Sequence, residues 1–284
     1  MTDSSMKQTL AEIYDDLALD YEHAVVPVFR PIAKRLIQLI DLRPGWQVLD
    51  AGTGTGLVAL LSAPRVGKTG KVIGVDGAEK MLEVAREKAY KFGFTQCEFR
   101  SGDLEALDFA DAQFNAVLSQ FVLHHTDPAK SLREFHRVLM PGGALVIQDW
   151  MESPNPPNVA LFDALNKYRV TEPDESLAIA RAQSERAWNF RVHYAKPERI
   201  EKELKELGFE RVEAREEKHN MRVANVDAFI AMASAAPVVR AEFKALSAET
   251  RAEIIREARR GFASFETSNG IEWTYHVLAV VAHK

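Results

Sequence analysis

The clearest signal in the order of apolar and polar positions is a change of period near residue 46. Before it, Leu10, Ile13, Tyr14, Leu17 and Tyr21 recur at intervals of three and four, as do Ile32, Leu36, Ile37 and Ile40. Amphipathic helices are therefore expected over residues 7–21 and 31–42, the second stopped by Pro44-Gly45. After it, short apolar runs at 47–51, 71–76, 97–100, 112–119 and 144–150 alternate with helical stretches. Strands buried on both faces read this way, so the pattern predicts an α/β fold with a mostly parallel sheet and helices on both faces. A helix over 197–207, an alternating sixth strand over 209–216, helical material over 227–261 and an apolar run over 273–282 complete the chain. The last run is expected as a seventh, antiparallel strand beside the sixth.

One stretch concentrates the chemistry. Gln47-Val48-Leu49-Asp50-Ala51-Gly52-Thr53-Gly54-Thr55-Gly56 runs from a buried strand into a turn with glycine at every second position, and Leu57-Val58-Ala59-Leu60-Leu61 opens a helix. Glycines there let the backbone approach a ligand that a Cβ would hold off. The dinucleotide pattern wants a third glycine where this chain has Leu57, which weakens a nicotinamide-dependent oxidoreductase. Asp50 before the turn suits a cationic ligand better than a diphosphate. Asp76 closes the second strand, where a carboxylate can accept both hydroxyls of a ribose.

Composition narrows the choice. The chain has 284 residues, 46% hydrophobic, with a net charge of -5, enough for a large core and without the basic run that tracks a phosphate backbone. Nucleic acid is not expected as a partner. With one cysteine, Cys97, neither an intramolecular disulfide nor a paired-thiolate metal site can form, and a reducing cytoplasm fits. No apolar stretch approaches the roughly 20 residues of a membrane span.

The glycine turn with its preceding acid resembles motif I of the class I S-adenosylmethionine (SAM) dependent methyltransferases. The segment Tyr14-Asp15-Asp16-Leu17-Ala18-Leu19-Asp20-Tyr21 is similar to the N-terminal segment of their menaquinone/ubiquinone-biosynthesis-like members. The resemblance continues through Ser101-Gly102-Asp103-Leu104 and Ser119-Gln120-Phe121-Val122-Leu123-His124-His125 to Met140-Pro141-Gly142-Gly143 and the run to Trp150. It implies a Rossmann-like fold with SAM as cofactor, S-adenosyl-L-homocysteine as product and a small methyl acceptor. Asp50, Gly52, Thr53, Gly54 and Gly56 would then form the cofactor turn, and Asp76 with Gly77 would meet the ribose. Met81, Gly102, Asp103 and Leu104 would border the adenine. Ser119, Gln120, Phe121 and His124 would lie along the methionine part. Tyr14 and Tyr21 either fold over the cofactor or anchor their helix to the core.

Methyl transfer needs orientation more than a catalytic group. If the acceptor is a hydroxyl or an ammonium, His124, His125, Asp149 and Tyr21 are the candidate bases, although packing is the simplest use of the two histidines. No metal is expected, since only Asp127 stands near the histidine pair. The base-methylating motif NPPY is absent after the fourth strand, and Asn155-Pro156-Pro157-Asn158 reads as a stiff linker.

Four regions are expected: N-terminal helices covering the cofactor (1–45), the SAM-binding core (46–152), a helical insert (153–195) and the rest of the sheet with a helical insertion at about 220–265 (196–284). An insert after the fifth strand starts at the ligand edge, which favours a lid walled by Tyr168, Trp188 and Phe190; a homodimer contact is the rival use. A non-catalytic SAM-binding or interaction protein is the remaining alternative.

Overall fold

The computed structural model describes residues 3–153 and 157–284; of the expected linker at 155–158, Asn155 and Pro156 lie outside them, while Pro157 and Asn158 open a helix. The first two helices are α1 (Asp3–Asp20) and α2 (Val26–Ile37), joined by a π-helical turn over Tyr21–Val25. Then come β1 (Gln47–Ala51), α3 (Leu57–Val66), β2 (Lys71–Asp76), α4 (Glu79–Phe92), β3 (Cys97–Ser101), β4 (Phe114–Gln120), α5 (Pro128–Val138) and β5 (Leu139–Trp150). The insert forms α6 (Asn158–Lys167) and α7 (Glu175–His193), followed by α8 (Glu198–Glu206) and β6 (Arg211–Val223). Three helices, α9 (Val226–Ser234), α10 (Pro237–Ala245) and α11 (Ala248–Phe262), precede a two-residue β7 (Glu266–Thr267) and the long β8 (Gly270–His283).

The strands lie in the order β3-β2-β1-β4-β5-β8-β6, with β7 paired to β8 off this path. The first five strands are parallel to their neighbours, and β8 runs antiparallel to β5 from Ala144↔His283 to Trp150↔Val277. This is the expected Rossmann-like α/β sheet, seven strands along its path, with the antiparallel last strand in place. Leu49, Ala51, Val75, Val117 and Ile147 face Leu132, Phe135, Ile200 and Leu204 of α5 and α8. Val48, Val72, Leu118 and Val146 face Ala33, Leu36, Val58 and Leu82 of α2, α3 and α4. Both faces are covered, so each strand reads as an unbroken apolar run.

The chain divides into two compact units. One holds residues 29–152, 186–217 and 276–284, and the other 1–28, 153–185 and 218–275. The second is mainly helical. Within it Arg181 of α7 grips Glu242 of α10 through two hydrogen bonds of 2.7 and 2.9 Å and donates to the Val170 carbonyl. Phe229 packs against Phe262 and Trp273, and Lys167 and Asp16 pair with Glu257 and Lys244.

Several boundaries differ from the sequence reading. The second helix starts at Val26 and ends at Ile37, with Pro31 inside it. A proline suggests a helix start, because it has no N–H to give and its ring crowds the preceding turn, yet here the helix runs through it. Met140–Gly143 belongs to β5 as a bulge: the register shifts between Phe114 and Ala116, and Gly142 and Gly143 exchange hydrogen bonds with Lys284. The sixth strand runs seven residues past its expected end, to Val223.

Candidate active site

Because β1, β2, β4 and β5 are parallel, their carboxyl ends fall together, with Ala51 level with Val75 and Ser119, and Gln120 level with Gln148. Open α/β sheets bind ligands at this edge. After β1 the chain turns sharply. Gly52 and Thr53 donate to the Val75 carbonyl, and Gly56 (φ 82°) introduces α3. Gly52 has φ 74°, and a Cβ on it would come within 2.3 Å of Val122, so the turn packs directly on the segment after β4 and admits only glycine there.

Asp50 organises this turn from beneath. It is 1% exposed, and its Oδ2 accepts hydrogen bonds from Thr53 Oγ1 (2.7 Å) and the Ala59 N–H (2.8 Å). Ala59 is the third residue of α3, whose own cap, Gly56, has no side chain; Asp50 therefore caps the helix from a distance. Burial pushes its carboxyl up to about 7 against the pull of those two bonds, and the Asp76 charge adds to the rise. The sequence reading of Asp50 as a direct attraction for a cationic ligand gives way to a scaffold role.

Asp76 ends β2 half-buried. Its Oδ2 accepts the Gly54 N–H at 2.8 Å and its Oδ1 the Ala78 N–H at 3.0 Å, so one carboxylate holds both the glycine turn and the start of α4. Gly77, Gly102 and Asp103 are exposed beside it, with the Gly102 N–H bonded to the Asp76 carbonyl, whereas Met81 and Leu104 are core residues. Asp103 folds one oxygen back to the Glu105 N–H.

The segment after β4 carries the proton chemistry. Ser119 and Gln120 end the strand, Phe121 turns with φ 55°, and Leu123–His125 form a short 3-10 turn. That turn brings His124 to Asp149 of β5: Nδ1 lies 2.7 Å from Asp149 Oδ1, and the His124 N–H reaches Oδ2 at 3.4 Å. Asp149 is 0% exposed and also accepts the Trp150 N–H at 2.7 Å. The Phe190 and His125 rings flank His124. Burial, then the charges of His124, Arg186 and Arg191, hold His125 well below the usual histidine range. His125 is thereby kept neutral.

Residues nominated separately from sequence thus meet as a His124–Asp149 pair. Sequence reasoning missed Phe29, whose ring lies 5.1 Å from Phe121 and 5.3 Å from Trp150; it falls between the two helices then expected. Of the three rings expected to wall a pocket, Phe190 packs in the core beside His124, Tyr168 is half-buried and Trp188 is 51% exposed; residues two apart on a helix point different ways. Tyr14 and Tyr21 belong to the helical unit, edge to face at 6.5 Å. Among the described residues no cluster of His, Cys, Asp and Glu is arranged to hold a metal ion, and no helix is long and apolar enough to cross a membrane.

Comparison with known proteins bears on this arrangement. A family model described as a methyltransferase domain matches residues 42–188. Nocamycin O-methyltransferase of Saccharothrix syringae is 28% identical over 94% of this chain and 96% of its own. The ubiquinone/menaquinone biosynthesis C-methyltransferase of Escherichia coli O1:K1 is 34% identical over 62% of this chain and 71% of its own. Phosphoethanolamine N-methyltransferase 2 of Haemonchus contortus, crystallised with SAM, shares the fold at a TM-score of 0.51 and 21% identity, covering 88% of this chain and 51% of that one. With more than half of its length matched by the family model and its sheet built in the same way, this chain belongs to the class I SAM-dependent methyltransferases.

Proposed function

We propose that the protein transfers a methyl group from SAM to an oxygen of a small, partly apolar molecule, with His124 as the general base and Asp149 holding it. The observation that carries this reading is the 2.7 Å contact between His124 Nδ1 and a fully buried carboxylate at the carboxyl edge of the sheet. A carboxylate on one ring nitrogen fixes the tautomer and leaves the other nitrogen as the acceptor for a proton. The end-to-end match to an O-methyltransferase supports oxygen over carbon or nitrogen.

The residues present fit the cofactor. The glycine turn admits close backbone approach, Asp76 sets a half-buried carboxylate beside that turn where ribose hydroxyls would donate, and Asp103 is exposed where an adenine amine would be met. SAM supplies a sulfonium methyl with a good leaving group, so what remains for the chain is to orient the acceptor and take its proton. A positioned base contributes about 10² to 10⁴ in rate.

The test has two arms. Calorimetric titration with S-adenosyl-L-homocysteine should show binding that is lost in Asp76→Ala, and binding of NADH instead would sink the cofactor reading. Label transfer from SAM to a panel of hydroxyl acceptors should fall by about 10² or more in kcat for both His124→Gln and Asp149→Asn. An unchanged kcat in His124→Gln would remove the base and leave orientation alone as the mechanism.

A further inference from the structure

We propose that Gln148 orients the methyl acceptor, and that this acceptor is a planar conjugated molecule bearing a carbonyl oxygen, seated against the rings of Phe29, Phe121 and Trp150. The inference rests on the methyl-transfer reading and adds to it the class of acceptor. Gln148 is 0% exposed. Its Oε1 accepts from Gln120 Nε2 at 2.9 Å and its backbone carbonyl accepts the Phe121 N–H at 2.8 Å. Its Nε2 is buried and has no hydrogen-bond partner among the described residues. Buried amide donors are nearly always satisfied, so one left over in a folded core needs a reason.

Its surroundings supply one. Side chains alternate along a strand, so Gln148 and Trp150 share one face of β5 with Val146, and Asp149 points to the other. Val146 belongs to the core cluster containing Ala33 of α2, and Phe29 lies one turn before Ala33, so the rings and the amide occupy the same side of the sheet. Phe121 stacks on Trp150 with centroids 3.9 Å apart and planes at 9°, and Phe29 meets both. All three rings are only half-buried. Flat conjugated molecules stack on such surfaces, and a carbonyl oxygen is the complement of an amide N–H. Phe121 is held in the left-handed region at φ 55°, a conformation that bulky residues adopt where the surroundings impose it, often at ligand clamps. The end of β5 therefore carries an enclosed, unpaired hydrogen-bond donor and a half-buried ring surface on one face and the proton-taking pair on the other.

The experiment titrates wild type, Gln148→Leu and Trp150→Ala with three probes, each with and without S-adenosyl-L-homocysteine. 4-Hydroxycoumarin is flat with a hydroxyl and a carbonyl, 2-naphthol is flat with a hydroxyl alone, and cyclohexanol is neither flat nor conjugated. Wild type should prefer 4-hydroxycoumarin to 2-naphthol by about tenfold, the worth of one good hydrogen bond. Gln148→Leu, close in volume and free of the stranded donor, should erase that ratio while leaving 2-naphthol unchanged. Trp150→Ala should weaken both flat probes and not cyclohexanol. Equal affinity of wild type for the two flat probes, a ratio that survives Gln148→Leu, or no flat probe bound at millimolar concentration overturns the proposal. A wild type that holds the ratio yet fails to bind S-adenosyl-L-homocysteine supports it and sinks the cofactor reading instead.

Discussion

Asp50 shows how far one side chain can carry a fold and a pH dependence together. Its carboxyl titrates near 7 when folded against 3.8 for the free group, chiefly because burial penalises the charge. A folded pKa above the unfolded one means that the folded state binds the extra proton. The resulting stability is present in full below about pH 4 and is lost as pH rises through 7. Three units correspond to roughly 4 kcal/mol. Asp50→Asn keeps an oxygen for Thr53 and Ala59 but cannot ionise. In urea melts at pH 4.5 and pH 8 the variant should gain stability relative to wild type as pH rises, by a few kcal/mol. Parallel stability profiles would mean that the carboxyl titrates elsewhere. His125 works in the opposite sense: its pKa is depressed on folding, so its contribution is present above about 6.5 and lost as pH falls. His125→Asn should flatten the acid limb of the same profile.

At the scale of elements, the segments easiest to read were those in which local pattern and tertiary role coincide. Asp127-Pro128 is a helix start in sequence and in structure, the Asp127 side chain accepting from Ala129 and Lys130. The His124–Asp149 pair was harder, because it depends on β4 and β5 being neighbours in register, which no local pattern states. Harder still was the pairing of α7 with α10, whose tie is Arg181 with Glu242, 61 residues apart and both largely buried. That tie offers a test of the proposed lid role of residues 153–195. Arg181→Ala leaves a buried carboxylate unpaired, at a cost of about 3–5 kcal/mol, and should loosen α7 and α10 relative to each other. If the insert covers the acceptor, KM for the acceptor should rise several-fold while affinity for S-adenosyl-L-homocysteine holds, with Arg181→Lys between the two. Equal loss of both affinities would assign the insert to folding alone.

For the molecule as a whole, the sheet was legible and the helical unit was not, for one physical reason. Parallel strands covered on both faces leave a local imprint of apolar runs closed by Gly or Asp, whereas α1, α6, α9, α10 and α11 come from three separate stretches that carry no mark of their joining. Their cohesion rests on cross-segment pairs such as Asp16 with Lys244 and Lys167 with Glu257. The expectation that Tyr14 and Tyr21 cover the cofactor therefore needs a measurement that reads both units at once. Hydrogen exchange with saturating S-adenosyl-L-homocysteine is such a measurement, since a ligand at 100 times its Kd adds about 2.7 kcal/mol to every opening that releases it. Residues 50–56, 76–78, 102–104 and 119–125 should slow, because their backbone either touches the ligand or is bonded to what does. If the N-terminal tyrosines cover the cofactor, residues 14–25 should slow by a comparable factor, and Tyr14→Ala should abolish that second region of protection while sparing the first. Protection confined to the first set would make the tyrosine pair, edge to face at 6.5 Å, an internal clasp of the helical unit, and cofactor binding would then belong to the unit that carries the glycine turn.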